Sequence, residues 1–435
     1  MDAEIHEINA EKVSRTQGKQ LLEKLLDSLD AAVEGAKEIR DIELAQDPDA
    51  IRALKVVEAF LREKQLLCYG GMAINAHLPP AYKFYDFSKV LPDYDFYTPN
   101  LKHHVKELID RLISEGFNNV SAREGMHEGT IKIFVNFLGV ADMTTMPKWL
   151  FTTLHSRAKV IEGIYYVDAD FLRMGMYLEL SRPKGEVERW NKVYLRLLYL
   201  NKAVPPKTRG CGPETPFKIP RSLHTEILSY ISKHSLVFAG AELKKVYKQS
   251  GKKDDYWILH GTSPILAFSD SPEHDAQEVK QMAIKHSGGK YVSVNTWDGI
   301  GDILPTMVGV RIGGEIVAIF VHTTACHSYN TMNVVEGIQM RIASLDTLIH
   351  LYYILGFVED FHGVLPQTAH CFANHLVNIS IKTRDRGNWG PYEPFSTHCS
   401  GHQETKQSLI RARYERMQKK KGVTRRNRGK SYKKK

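Results

Sequence analysis

Leu66–Thr98 reads LLCYGGMAINAHLPPAYKFYDFSKVLPDYDFYT: one apolar run ends in Gly70-Gly71, and a second carries Asp93 and Asp95 around Tyr94. Side chains alternate faces along a β-strand, so Asp93 and Asp95 point one way and Tyr94 and Phe96 the other. Two carboxylates on one face repel each other unless a cation sits between them. Magnesium-like ions prefer oxygen ligands and keep open positions for phosphate oxygens. Two such ions, roughly 3.5–4 Å apart, activate an attacking hydroxyl and steady a leaving group. A turn opened by Pro92-Asp93 is the simpler reading of this spacing taken alone.

The glycines upstream shift the balance. Leu66–Tyr69 reads as a buried strand, and Met72–Leu78 as a helix stopped by Pro79-Pro80. Gly70-Gly71 therefore falls at a strand-to-helix junction, where bare backbone can approach phosphates and the helix start favours negative charge. A third carboxylate would complete the cage. Thr130–Ala141 (TIKIFVNFLGVA) reads as one long apolar strand, and Asp142 stands at its polar end. Asp168 and Asp170 repeat the spacing of Asp93 and Asp95, but no glycine pair precedes them and a helical pattern follows. One or the other reads as the cap of that helix, and the pair as structural.

With these residues in view, the sequence resembles the nucleotidyltransferases of the DNA polymerase β type. YGGMAINAHL, LPDYDFYTP and FLRMGMYLELSRPKGEVERWNKVYLRLLYLNK (Phe171–Lys202) look more closely like the poly(A) polymerase catalytic subunit of poxviruses and giant DNA viruses. Met72 stands where many members of the superfamily have serine. The resemblance implies template-independent addition of AMP from ATP to mRNA 3′ ends, with Mg²⁺ or Mn²⁺ in a two-metal site. Asp93, Asp95 and Asp142 would then be catalytic and metal-binding, Gly70 and Gly71 would cradle phosphates, and Arg182, Arg189, Lys192 and Arg196 form a candidate phosphate-facing set. Alternatives are another RNA or small-molecule nucleotidyltransferase, such as a tRNA-terminus enzyme, or an inactive RNA-binding processivity subunit.

Composition sets the frame. At 43% apolar and 25% charged residues, 435 residues describe an ordinary folded chain of two or more domains. No apolar run nears the ~18 residues of a membrane span. Five scattered cysteines without a CxxC imply a reducing compartment. Cys371/His375 and Cys399/His402 are a weak zinc candidate. The net charge of +9 is concentrated: residues 411–435 hold 13 Lys/Arg and one acid, leaving 46 basic against 49 acidic side chains elsewhere. Such a tail attracts polyanions without reading sequence, and it reads as an RNA tether.

The expected fold is α/β (α+β): a nucleotidyltransferase catalytic domain followed by a second, degenerate nucleotidyltransferase-like domain. Residues 1–50 read as a helical arm, 51–204 as the catalytic domain and 205–220 as a linker. Residues 221–410 read as the degenerate domain and 411–435 as a disordered tail. In the degenerate domain Tyr256–His260, Lys290–Val294, Met307–Ile312 and Glu315–Val321 suit strands, Ile338–Val358 suits a helix, and YWILHGTSPIL faintly echoes LLCYGGMAINA. The family resemblance adds a homodimer, no membrane, and a location in the virion and host cytoplasm.

Overall fold

The computed structural model describes residues 2–125, 129–208, 219–248, 264–300, 303–335, 338–358, 366–385, 387, 394–405 and a few positions between 407 and 418. The chain opens with a long helix, α1 (Asp2–Gln46), then α2 (Pro48–Lys64). The first sheet is built from β1 (Leu67–Cys68), β2 (Tyr94–Thr98), β3 (Val120–Glu124), β4 (Thr130–Val135), β5 (Leu138–Thr145), β6 (Lys159–Ile161) and β7 (Ile164–Tyr166). Helices α3 (Gly70–His77), α4 (Leu101–Ser114) and α5 (Lys148–Ser156) are interleaved with these strands, and α6 (Ala169–Leu180) and α7 (Trp190–Ala203) follow them. The strand order is β3-β4-β5-β2-β1-β7-β6.

Local chemistry explains the key elements. Asp47 caps α2 by accepting from the Asp49 and Ala50 amides, Pro48 occupies the first turn, and Gln65 ends the helix in left-handed backbone. Ala53, Val57, Phe60 and Leu61 then bury one face of α2 against the sheet. The stretch expected as one strand over 130–141 is instead the hairpin β4–β5. Asn136 and Phe137, at φ +48° and +68°, make the left-handed turn between the two strands. Asp142 consequently lies inside β5, not at a strand end. Asp168 caps α6, accepting from the Asp170 and Phe171 amides, and pairs with Arg157, while Asp170 pairs with His370 and Arg173. Both are structural, as their position suggests.

The second half holds α8 (Arg221–Lys233), β8 (Val237–Phe238), α9 (Leu243–Lys248), β9 (Ile265–Ser269), α10 (Pro272–His286) and β10 (Val292–Trp297). After these come β11 (Met307–Ile312), β12 (Glu315–His322), β13 (His327–Val335), β14 (Ile338–Ala343), α11 (Leu345–Phe357), α12 (Pro366–Asp385) and β15 (Cys399–Ser400). Its sheet runs β10-β11-β12-β9-β8-β14-β13-β15. Apart from the added β15, this order repeats the first sheet strand for strand, with the same parallel and antiparallel pairings.

The duplication fixes residue equivalences. The Tyr69 amide donates to the Asp95 carbonyl, and the Ala239 amide donates to the Leu266 carbonyl in the same place. Asp95 therefore corresponds to Leu266, Asp93 to Pro264, Gly70 to Gly240 and, through the sheet register, Asp142 to Ile319. The second unit keeps the fold and has no carboxylate at any of the three equivalent positions. Its counterpart of the glycine junction is Val237–Gly240, not the expected echo at 256–266. Residues 256–263 lie outside the described ones, as does the strand expected over 256–260. The helix expected over 338–358 is strand β14 followed by α11, because Ser344 caps a new helix by accepting from the Thr347 amide.

The cysteine expectations also change. Cys326 and Cys399 form a disulfide, because β13 pairs Ser328 with Cys399 and brings the two sulfurs side by side. Cys371 is also disulfide-bonded, and Cys68 is a buried free thiol. The thiolates needed for zinc at Cys371/His375/Cys399/His402 are thus consumed. The scattered spacing hides this pairing, since the partners lie 73 residues apart. No described helix is long and apolar enough to cross a membrane.

Candidate active site

Strand register brings the carboxylates together. β2 pairs in parallel with β5, placing Asp95 opposite Asp142, and Asp93 stands just before β2. One carboxylate oxygen from each of Asp93, Asp95 and Asp142 lies within 4.8 Å of the others. Lys132, opposite Asp142 on β4, forms an ion pair with it.

Charge crowding shows in the titration of the group. Burial, and then the charges of Asp93 and Asp142, push the Asp95 carboxyl up to about 7, against the pull of Lys132 and Arg189. Asp93 is raised too, by burial and then by Asp142. One lysine does not neutralise three acids. An all-oxygen cluster of this kind is a donor set suited to a hard divalent cation.

Gly70 and Gly71 are required for space. Helix α3 begins at Gly70 itself, so the glycine pair forms the first turn of the helix and not a loop before it. Gly70 has φ +67°, and a Cβ there would sit 2.2 Å from Asp95 Oδ2. A Cβ on Gly71 would meet the Tyr85 hydroxyl at 2.3 Å. The start of α3 therefore lies directly beside the Asp95 carboxylate.

The long segment between Gly71 and Asp93 is tied down by Asn75, whose side-chain carbonyl accepts from the Phe84 and Tyr85 amides. Phe84 and Tyr85 in turn face Arg196, which stacks 4.3 Å above the Phe84 ring and donates to the Tyr85 hydroxyl at 3.1 Å. Arg196 shares the face of α7 that carries Lys192. Burial, then repulsion from Arg196 and Arg189, lowers Lys192, and Asp93 offsets part of that. Arg189 thus acts on Asp95 and Lys192 on Asp93, while Arg196 acts on Lys192 and lies beside Gly71. Arg182 is not among them: its charge falls on the buried His327 and His350 of the second unit. Sequence reasoning carries no signal for Asn75, Tyr85 or Lys132, although a register for β4 would expose Lys132.

In metal-free protein the raised Asp95 makes stability pH-dependent. An unfolded aspartate titrates near 3.9 and the folded one at about 7, so the native state binds the extra proton between them. That stability is present below about pH 4 and lost as pH rises through 7, with an upper bound of about 4 kcal/mol. The melting temperature of chelated protein is expected to fall by several degrees between pH 5 and 8. Millimolar Mg²⁺ or Mn²⁺ should restore it at pH 8. A flat profile in chelator would show that the carboxylates are not coupled.

Comparison with known proteins places these residues in context. Residues 55–186 match the family model described as the poly(A) polymerase catalytic subunit. A protein of Acanthamoeba polyphaga mimivirus carrying that name is 25% identical over 357 residues, covering 78% of this chain and 55% of the relative. One from a Kenyan pig isolate of African swine fever virus is 31% identical over 156 residues, 32% of each chain. The chain thus spans about half the length of the mimivirus relative and a third of the other. The crystal structure of the Megavirus polyadenylate synthase superposes with a TM-score of 0.74 at 17% identity, covering 91% of this chain and 83% of that one, a likeness of fold. The fold expected from the sequence is borne out, and so is the likeness to this family, which the family model carries over residues 55–186.

Proposed function

Because residues 55–186 match the model of the poly(A) polymerase catalytic subunit family, we propose that the chain is a template-independent polynucleotide adenylyltransferase. It would add AMP from ATP to mRNA 3′ ends. The observation that carries this reading is the cluster of three carboxylates beside the glycine-started helix, inside the region that matches the family. Asp93, Asp95 and Asp142 would hold two divalent ions, Mg²⁺ or Mn²⁺, which supply a lowered pKa at the attacking 3′-hydroxyl and charge neutralisation at the leaving pyrophosphate. The α3 amides at Gly70 and Gly71 bind phosphate oxygens. Arg189, Lys192 and Arg196 would neutralise the triphosphate from the wall beside Gly71. Asn75 and Tyr85 keep that wall in place. In-line displacement then needs only positioning, with no covalent enzyme intermediate.

Incubating the protein with an RNA primer and each nucleotide separately, with Mg²⁺ or Mn²⁺, tests this. Long A-only tails support the reading, a short defined addition points to a tRNA-terminus type, and no incorporation identifies an inactive binding subunit. The basic residues 411–435 lie mostly outside the described ones; as a tether for RNA between additions, their deletion should shorten tails at moderate salt and spare single-nucleotide addition. Unchanged tail lengths would remove the tether.

We also read the protein as a homodimer acting in the virion and host cytoplasm. On α1, Leu22, Leu25, Leu26, Leu29, Val33 and Ile39 are 43–62% exposed, an apolar stripe at heptad-like spacing that no other described element covers. Changing Leu25 and Leu29 to Glu is expected to convert a dimer into a monomer by sedimentation without lowering the melting temperature of the body. A wild-type monomer at micromolar concentration would exclude α1 pairing.

A further inference from the structure

The register that aligns the carboxylates continues across the sheet. Asp95 lies opposite Asp142, Asp142 opposite Lys132, and Lys132 opposite Arg123. Residues directly opposite share a face, so four charged side chains stand abreast on β2, β5, β4 and β3, acidic at the centre and basic toward the edge. Arg123 is exposed, with its guanidinium 5.2 Å from the centre of the Phe134 ring. The β4–β5 turn then presents Phe137, 80% exposed at φ +68°.

Left-handed backbone costs a residue with a Cβ about 1–2 kcal/mol, and an exposed ring recovers none of it by burial. The duplicated sheet supplies an internal control. Its equivalent turn is Gly313-Gly314, at φ +58° and +93°, which adopts the conformation without strain. Its equivalent row is Leu266, Ile319, Gly309 and Asn295, with no charge at all. Among the described residues, the charged row aligned on the carboxylates and the strained aromatic turn occur only in the first sheet, although the second has its own cation over a ring in Arg311 and Trp297.

We propose that the outer face of β3–β4–β5 is a shelf for the single-stranded RNA primer, resting on the polymerase reading above. Arg123 takes a backbone phosphate, and Phe137 stacks on a base upstream of the 3′ end. Phe137 lies five strand residues from Asp142, about 16 Å away, a few nucleotides back from the reacting hydroxyl. Base stacking on an aromatic and charge attraction to phosphate are the two forces that hold single strands without reading sequence.

The test uses fluorescence anisotropy of labelled oligoadenylate on the full chain, alongside primer extension. Phe137→Asn is expected to weaken binding about 5–30-fold, with the loss appearing in the KM for primer rather than for ATP. Its melting temperature should equal or exceed wild type, since asparagine tolerates the turn. Arg123→Gln should weaken binding and reduce the salt slope by about 0.7. Wild-type affinity in both variants overturns the shelf, as does a melting temperature for Phe137→Asn that falls along with its affinity. Wild-type binding without extension, with both variants weakened, supports the shelf and refutes the polymerase reading.

Discussion

Asp95→Asn is expected to abolish nucleotide incorporation while leaving the protein at least as stable as wild type. The two effects have opposite signs for one reason. Asp95 is held beside Asp93 and Asp142, and both burial and their charges oppose its ionisation. Removing one charge relieves that repulsion, so the metal-free melting temperature should rise by a few degrees and its fall between pH 5 and 8 should flatten. In the proposed function the same charge would hold the cations that neutralise the triphosphate, and its loss is expected to lower the rate on the order of 10³-fold or more. Asp93→Ala should behave alike. Extension assays and thermal melts on the same preparation check both halves. Retained extension would remove Asp95 from the site, and a lowered melting temperature would show that the carboxylate is structural.

Gly70→Ala should be the most damaging substitution that changes no charge. The new methyl would lie 2.2 Å from Asp95 Oδ2, in backbone at φ +67°. Left-handed alanine costs about 1–2 kcal/mol before any clash. To make room, either Asp95 turns away from Asp142 or the start of α3 withdraws, and both displace the groups that must converge. Misplacement of about 1 Å is enough to cost on the order of 10²-fold in rate. Gly71→Ala is the informative companion. Its methyl would meet the tip of Tyr85, a side chain that can shift and give up its contact with Arg196. A smaller loss, in the KM for ATP rather than in stability, is expected there. Equal activity in Gly70→Ala and wild type would mean that the glycine serves the turn and not the acid.

Much of the site is legible in the order of the residues. Gly70-Gly71, Asp93 and Asp95 sit close together along the chain, so local patterning alone relates them. Asp142 stands out because an acid interrupting an apolar run is conspicuous, although that run is two strands and not the one its composition suggests. Asn136-Phe137 lacks the glycine that usually marks a tight hairpin, so the bend costs strain and leaves no mark in composition. Arg182 joins Arg189, Lys192 and Arg196 only by proximity along the chain, and the break between α6 and α7 sends it to the histidines of the second unit. The second unit itself is expected from the resemblance, yet its glycine junction lies some twenty residues before the stretch that echoes the first. Without carboxylates to anchor it, Val237–Gly240 is an ordinary string of apolar residues.

The chemistry of the protein therefore resides in its residue order: which acids and glycines are present, how they are spaced, and a tail that concentrates the positive charge. Those are properties of residues near one another in the chain, where spacing and side-chain type are sufficient. Everything that depends on strand pairing came from the three-dimensional arrangement. Pairing set Asp142 opposite Asp95 and Lys132 opposite Asp142, joined Cys326 to Cys399, and matched the two sheets position for position. Register is a non-local choice, made by packing over the whole sheet, and one slip would have turned each of these side chains to the other face.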